Sequence, residues 1–186
     1  MTSTETAAQP AHSQAAPAPS LQVYRVYIKV TPQKVWDAIT SSEWTTKYGY
    51  GGLVDYSSGQ GEYKIRPDEG MVEGAKQMGF PLPDVVVDGE ILEYDPPRKL
   101  ALTWRMAMDP DCAAEGFTKL TYEIDAIGDG SRLTLTHELE NAPKHAAMVV
   151  GADAAEAVGQ GGGGWPWVLS DLKSLLETGE TFSPRG

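Results

Sequence analysis

Residues 159–179 read GQGGGGWPWVLSDLKSLLETG, a glycine run followed by one amphipathic helix. Trp165, Val168, Leu169, Leu172, Leu175 and Leu176 recur at helical spacing and form one apolar stripe. Asp171, Lys173, Ser174 and Glu177 fall on the other side of that pattern. Pro166 suits the first turn, where its missing N–H is not needed. Gly179 supplies a C-terminal stop. At ~1.5 Å per residue, about 13 residues span roughly 20 Å, enough to cross a small sheet. Almost everything upstream reads as strand, so this helix has a sheet to lie on.

Working back, strands are predicted at 23–30, 53–57, 62–66, 85–94, 100–106, 118–127 and 132–140, from period-two alternation of apolar residues. Thr31-Pro32 starts a helix whose buried face is Val35, Trp36 and Ile39. Ser41-Ser42-Glu43-Trp44 starts a short second helix. Gly128-Asp129-Gly130 is a hairpin turn. Segment 67–83 is a polar, Gly/Pro-rich excursion, and a loop of that length is commonly a lid or mobile. Residues 109–116 read as a loop, and 143–158 as an Ala-rich, partly helical stretch. Short links make the sheet antiparallel, and its single apolar face needs the last helix as cover. The expected class is α+β, a curved antiparallel sheet of about six to seven strands wrapped around a long C-terminal helix.

The domain division follows. Residues 1–20 are Ala, Pro, Ser and Thr and cannot repay ordering entropy, so a disordered tail is expected there. Residues 21–180 form one domain, and 181–186 a flexible terminus. A net charge of −11, from 26 acids against 15 bases, argues against a nucleic-acid surface. No apolar run reaches the ~20 residues of a membrane span. With one cysteine, Cys112, there is no disulfide framework. A reducing cytoplasm is the expected location and a monomer the expected state.

The strand and turn words resemble those of a known family. Residues 30–40 (VTPQKVWDAIT), 89–100 (GEILEYDPPRKL), 102–105 (LTWR) and 128–138 (GDGSRLTLTHE), with Gly164-Trp165 ahead of the last helix, resemble the START-like (Bet v-like, SRPBCC) helix-grip superfamily. Within it they resemble the branch named for activators of the ninety-kilodalton heat-shock ATPase. The resemblance spans roughly 21–178. It implies a hydrophobic cavity under the C-terminal helix that takes lipids, steroids or polyketides. Gly164-Trp165-Pro166 is also similar to a set from antibiotic producers, where the resemblance implies self-resistance by sequestering an enediyne or being cleaved by it. Segments 67–83 and 143–163 are longer than the family pattern and lie near the implied cavity mouth, so ligand identity does not transfer.

Candidate site residues follow from this cavity. Tyr48, Trp104, Tyr122, His137, Trp165, Leu169 and Leu172 are the expected lining, aromatic bodies with polar tips suiting a ligand pocket. His137 is the histidine with an inward position, either a group that exchanges a proton with a ligand or a core histidine bonded to its surroundings. Gly159, Gly161 and Gly164 match a dinucleotide fingerprint in spacing, but no βαβ unit surrounds them, and a hinge before the helix is the preferred reading. Gly70 to Gln77 fails the phosphate-loop spacing. No metal constellation and no nucleophile motif is present, so no cofactor is expected. Asp109-Pro110-Asp111 reads as a turn with Cys112 exposed beside it. His145 has no evident partner. A hydrophobic small molecule is the expected partner. A cyclase-like enzyme using His137 or a tyrosine, and a co-chaperone of the heat-shock ATPase, are the alternatives.

Overall fold

Alternation along each strand puts one face of the sheet inward. Leu100, Leu102 and Trp104, then Leu120 and Ile124, then Leu133, Leu135 and His137 line that face, none more than 5% exposed. The computed structural model describes residues 20–56, 58–152 and 162–182. Strands β1 (Leu21–Ile28), β2 (Gly61–Ile65), β3 (Val87–Asp95), β4 (Lys99–Met106), β5 (Thr118–Ile127) and β6 (Gly130–Glu138) form one six-stranded sheet in the order β1-β6-β5-β4-β3-β2. Every pairing is antiparallel. A register shift between Ile91 and Glu93 bends β3.

Helices α1 (Pro32–Thr40) and α2 (Ser42–Thr45) follow β1. Thr31 caps α1 by accepting from the Lys34 N–H, and Val35, Trp36, Ala38 and Ile39 face the core. Helices α3 (Glu69–Gln77), α4 (Pro110–Glu115) and α5 (Pro143–Val150) lie in the connections, and α6 (Gly164–Thr178) crosses the sheet beside β1. This is the expected helix-grip architecture.

Several details differ from the sequence reading. Segment 53–57 is not a strand; among its described residues it makes only isolated bridges, Ser41 with Asp55 and Leu53 with Arg66. The 67–83 excursion carries α3, capped by the Asp68 carboxylate on the Met71 N–H. The 109–116 loop carries α4, capped by Asp109 on the Cys112 N–H. Its cap turns Cys112 inward to 1% exposure, so the thiol is not at the surface, and burial and then Asp109 push its pKa up to about 12. The expected tail over 1–19, residues 153–161 and the terminus over 183–186 lie outside the described residues.

Asp171 is the largest departure on α6. The helical pattern put it on the polar side, yet it is 0% exposed. One carboxylate oxygen accepts the Gly49 N–H at 2.8 Å, and the other accepts the Phe182 N–H at 2.9 Å. Gly49 has φ +57°, and a Cβ there would press on Val168 at 3.2 Å. Gly thus lets the loop after α2 come close enough for Asp171 to hold it. Further along the helix, Glu177 accepts the Lys29 N–H at 2.8 Å, and Lys173 donates to the Tyr27 carbonyl at 2.7 Å. At the other end, Gly164 (φ +59°) lies against Val149 and Gly151, where any Cβ would collide with backbone. The described part of the glycine run therefore serves close backbone approach.

Asp171→Ala removes the acceptor of two N–H groups, each worth about 1–3 kcal/mol when stranded. A loss of about 3 kcal/mol in urea denaturation at constant m-value is expected, and a smaller loss for Asp171→Asn, which keeps one oxygen.

Candidate functional site

The polar centre beneath α6 is built by neighbouring strands. Trp104 on β4 pairs in register with Thr118 on β5, and Leu120 pairs with His137 on β6. The first turn of α6 adds Trp165 from above. The Trp165 indole N–H donates to His137 Nδ1 at 3.0 Å. The Thr118 hydroxyl lies 2.7 Å from the Trp104 carbonyl and 2.8 Å from His137 Nε2. An indole nitrogen only donates and a carbonyl only accepts. Thr118 must therefore give its proton to the carbonyl and accept from Nε2–H, while Nδ1 carries none. His137 is thus the neutral Nε2–H tautomer with both ring nitrogens engaged. Burial first, and then His145, pull its pKa down to about 3. Of the two readings open at His137, the geometry matches the satisfied core histidine.

His145 does have a partner, which sequence distance hid. Its Nδ1 lies 2.8 Å from a Glu115 carboxylate oxygen, and its Nε2 accepts the Met106 N–H at 3.2 Å. Glu115 also accepts the N–H groups of Lys144 and His145. Burial pushes the Glu115 carboxyl up, but those N–H bonds and the imidazole outweigh it and hold the group below the usual carboxylate range. A carboxylate–imidazole pair resembles catalytic machinery, yet the outer nitrogen is closed by backbone. It ties α4 and α5 to β4. Trp104 fits between both imidazoles, edge-on, with ring centroids 5.1 and 5.6 Å away.

Next to this centre lie four phenols, of Tyr48, Tyr56, Tyr63 and Tyr122. Tyr48 donates to the Ala38 carbonyl at 3.2 Å, and Tyr63 to the Thr103 carbonyl at 2.8 Å. The hydroxyls of Tyr56 and Tyr122 have no hydrogen-bond partner among the described residues. Tyr56 packs edge-on against Tyr63 at 5.1 Å, and Tyr122 against Trp165 at 6.5 Å. Burial raises both phenols well above their ordinary pKa, and neighbouring phenols add to this: Tyr63 and Tyr48 for Tyr56, Tyr56 and Tyr48 for Tyr122. Tyr122 pairs with Leu100 and Leu135, both 0% exposed, yet keeps accessible surface itself. Trp165 does likewise.

The residues expected to line a cavity do come together in one cluster. Trp104, His137, Leu169 and Leu172 are packed, Tyr48 is buried, and Tyr122 and Trp165 keep surface. Tyr56 and Tyr63 were missed. Tyr56 lies in a stretch read as strand, where its alternation with Val54 was the available signal. Two surface depressions, of about 380 and about 690 Å³, lie elsewhere. The first borders Val150, Pro166, Trp167 and Phe182; the second lies on the outer sheet face by Leu21, Leu92 and Phe117. Neither includes an expected lining residue. No metal-binding group occurs among the described residues, and no described helix is long and apolar enough to cross a membrane.

A six-stranded antiparallel sheet gripping one long C-terminal helix is a START-like fold. The chain belongs to the family described as Activator of Hsp90 ATPase homolog 1-like protein, which matches residues 29–177. Among solved structures it is similar to the protein encoded by gene BPP1335 of Bordetella parapertussis. That match has TM-score 0.63 and 20% identity, covering 95% of this chain and 84% of that one. The Aha1 dimer from Colwellia psychrerythraea aligns with TM-score 0.52 and 16% identity, over 86% and 97%. CalU16 from Micromonospora echinospora aligns in solution with TM-score 0.54 and 19% identity, over 89% and 69%. Against the CalU16 crystal structure the chain spans 59% of that protein's length. A comparison with curated protein sequences finds no match.

His137 is neutral in the fold and titrates near 6.5 when unfolded. Its contribution is present above pH 6.5 and is lost as pH falls toward 3, at up to about 1.4 kcal/mol per unit. Urea midpoints should therefore fall between pH 6.5 and 5, above the range where Glu115 and Glu177 act. His137→Gln, whose amide can accept from Trp165 and donate to Thr118, should flatten that decline.

Proposed function

We propose that the chain binds a hydrophobic small molecule in the space between the inner sheet face and α6. The observation that carries this reading is a pair of hydroxyls, of buried Tyr56 and half-buried Tyr122, without a partner among the described residues. Buried polar groups are nearly always satisfied, so such a pair at an aromatic wall is a place where a ligand supplies what the fold does not. The accessible surface kept by Tyr122 and Trp165 in the middle of the core supports it. Tyr48, Trp104, Tyr122, His137, Trp165, Leu169 and Leu172 are the proposed lining, with Tyr56 and Tyr63 added. The burial of apolar surface drives binding, and the phenols orient the ligand. A histidine-based cyclase is disfavoured, because His137 and His145 have both ring nitrogens engaged.

A second reading, protection of the host from a reactive natural product held in the same space, is favoured by one feature. Gly164-Trp165-Pro166 carries the resemblance to such proteins, and Trp165 faces Tyr122 there. Incubation with an activated enediyne followed by intact-mass analysis separates the readings: backbone scission at one position supports protection, and an unchanged mass removes it.

The neutral dye N-phenyl-1-naphthylamine tests the cavity itself. Wild type should enhance its emission saturably. Leu172→Trp should abolish that binding while costing about 1–3 kcal/mol by overpacking, and Leu92→Ser on the outer face should leave it intact. Unchanged affinity in the Leu172 variant would remove the site from beneath α6.

A further inference from the structure

The polarity of this chamber narrows the ligand class, an inference that rests on the cavity reading above. Among the described residues, no lysine or arginine is buried. The buried polar side chains next to the chamber are already engaged. Gln22 donates to the Ala146 carbonyl and accepts from Tyr24. Thr118, His137 and Trp165 close on one another and on the Trp104 carbonyl. Asp171 holds two N–H groups, and His145 is held by Glu115 and Met106. Tyr48 and Tyr63 donate to backbone carbonyls. What remains without a partner among the described residues is a set of neutral donors: the hydroxyl of Tyr56, 5% exposed, that of its neighbour Tyr122, and the indole N–H of Trp104.

These hydroxyls are neutral donors in an apolar surrounding. A carboxylate or phosphate entering here would give up its hydration and meet no cation. A plain hydrocarbon would fit but leave both O–H groups stranded. An uncharged ring molecule with a carbonyl oxygen satisfies them, and its flat body meets Trp165 and Tyr122. We infer that the chamber selects uncharged ring molecules bearing a ketone or quinone oxygen, with Tyr56 and Tyr122 as the donors, and rejects anionic lipids.

The test uses the full chain and three probes of similar shape: anthracene, anthraquinone and anthraquinone-2-carboxylate, read by quenching of tryptophan emission. Anthraquinone should bind roughly tenfold or more tighter than anthracene, at about three- to tenfold per phenol, and the carboxylate should bind more weakly than either. In the Tyr56→Phe/Tyr122→Phe double variant the quinone advantage should collapse. The free variant should melt at the same or a higher temperature, since only unpaired hydroxyls are removed; a lower melting temperature would show that the fold itself uses them and overturn the inference. Equal binding of anthracene and anthraquinone, tight binding of the carboxylate, or an advantage that survives in the double variant would also overturn it. If the neutral naphthylamine dye binds and anthraquinone does not, this inference falls and the cavity stands. If neither binds, both fall.

Discussion

The inner face of the sheet must be covered, and α6 covers it together with α1, which packs on β5 and β6. Most inward positions on β4, β5 and β6 carry a large apolar or aromatic group, and each buried methylene is worth about 0.8 kcal/mol. That drive is strong but non-directional. The helix could slide or rotate on an apolar surface at little cost, because burial does not distinguish neighbouring registers sharply. Directional bonds set the position. Asp171 holds the loop at Gly49 and the chain after the helix at Phe182. Trp165 reaches His137 at one end, while Glu177 and Lys173 hold the β1 edge at the other. Hydrophobic burial gives the energy and a few charge-assisted bonds give the placement.

Polar groups inside such a core fall into two kinds. One kind is closed. His137 and His145 each have a defined tautomer because every neighbour is restricted to donating or accepting. Such fully satisfied networks rigidify a core, and they also quench chemistry, since a ring with both nitrogens engaged has no lone pair or proton to offer. The other kind is open, and Tyr56 and Tyr122 are its members. The contrast lies within about one side-chain length: the strands that satisfy His137 at one level leave Tyr122 unsatisfied one inward position along β5 from Leu120. The fold can evidently satisfy such groups, so the open pair marks a different demand on that part of the core.

Much of the fold was legible from periodicity. Strands β4, β5 and β6 have clean alternation, and α6 has an apolar stripe with a proline near its start and a glycine after its end. Where reading failed, local pattern competed with tertiary partners. Asp171 fell on a polar face by helical arithmetic, because nothing local shows a loop 122 positions away offering an N–H. The partnership of His145 with Glu115 spans 30 positions and was equally hidden. Helices α3 and α4 were lost among Gly, Pro and Asp, residues that signal turns but also serve as caps, as Asp68 and Asp109 do here. Of the candidate site, the inward positions of Trp104, Tyr122 and His137 could be read from strand faces, whereas Tyr56 had only its alternation with Val54, on a segment that pairs through isolated bridges.

That irregular segment explains how an open phenol arises. Regular strands present side chains at fixed spacing, and neighbours fill the space between them. Tyr56 comes from backbone outside the sheet, so its ring enters the core sideways, against Tyr63. Tyr63 itself needs Gly89 opposite it, where any Cβ would collide with the Thr103 carbonyl. A glycine at that register position lets one aromatic ring lie flat over the sheet and its hydroxyl reach backbone. The ring of Tyr56 meets that ring edge-on at 5.1 Å, and its own hydroxyl finds no partner among the described residues. An edge-on pair of tyrosines over a glycine thus leaves one O–H on the Thr103 carbonyl and the other open among the described residues, and in the proposed cavity such neutral groups, rather than any charged one, would set the polarity offered to a ligand.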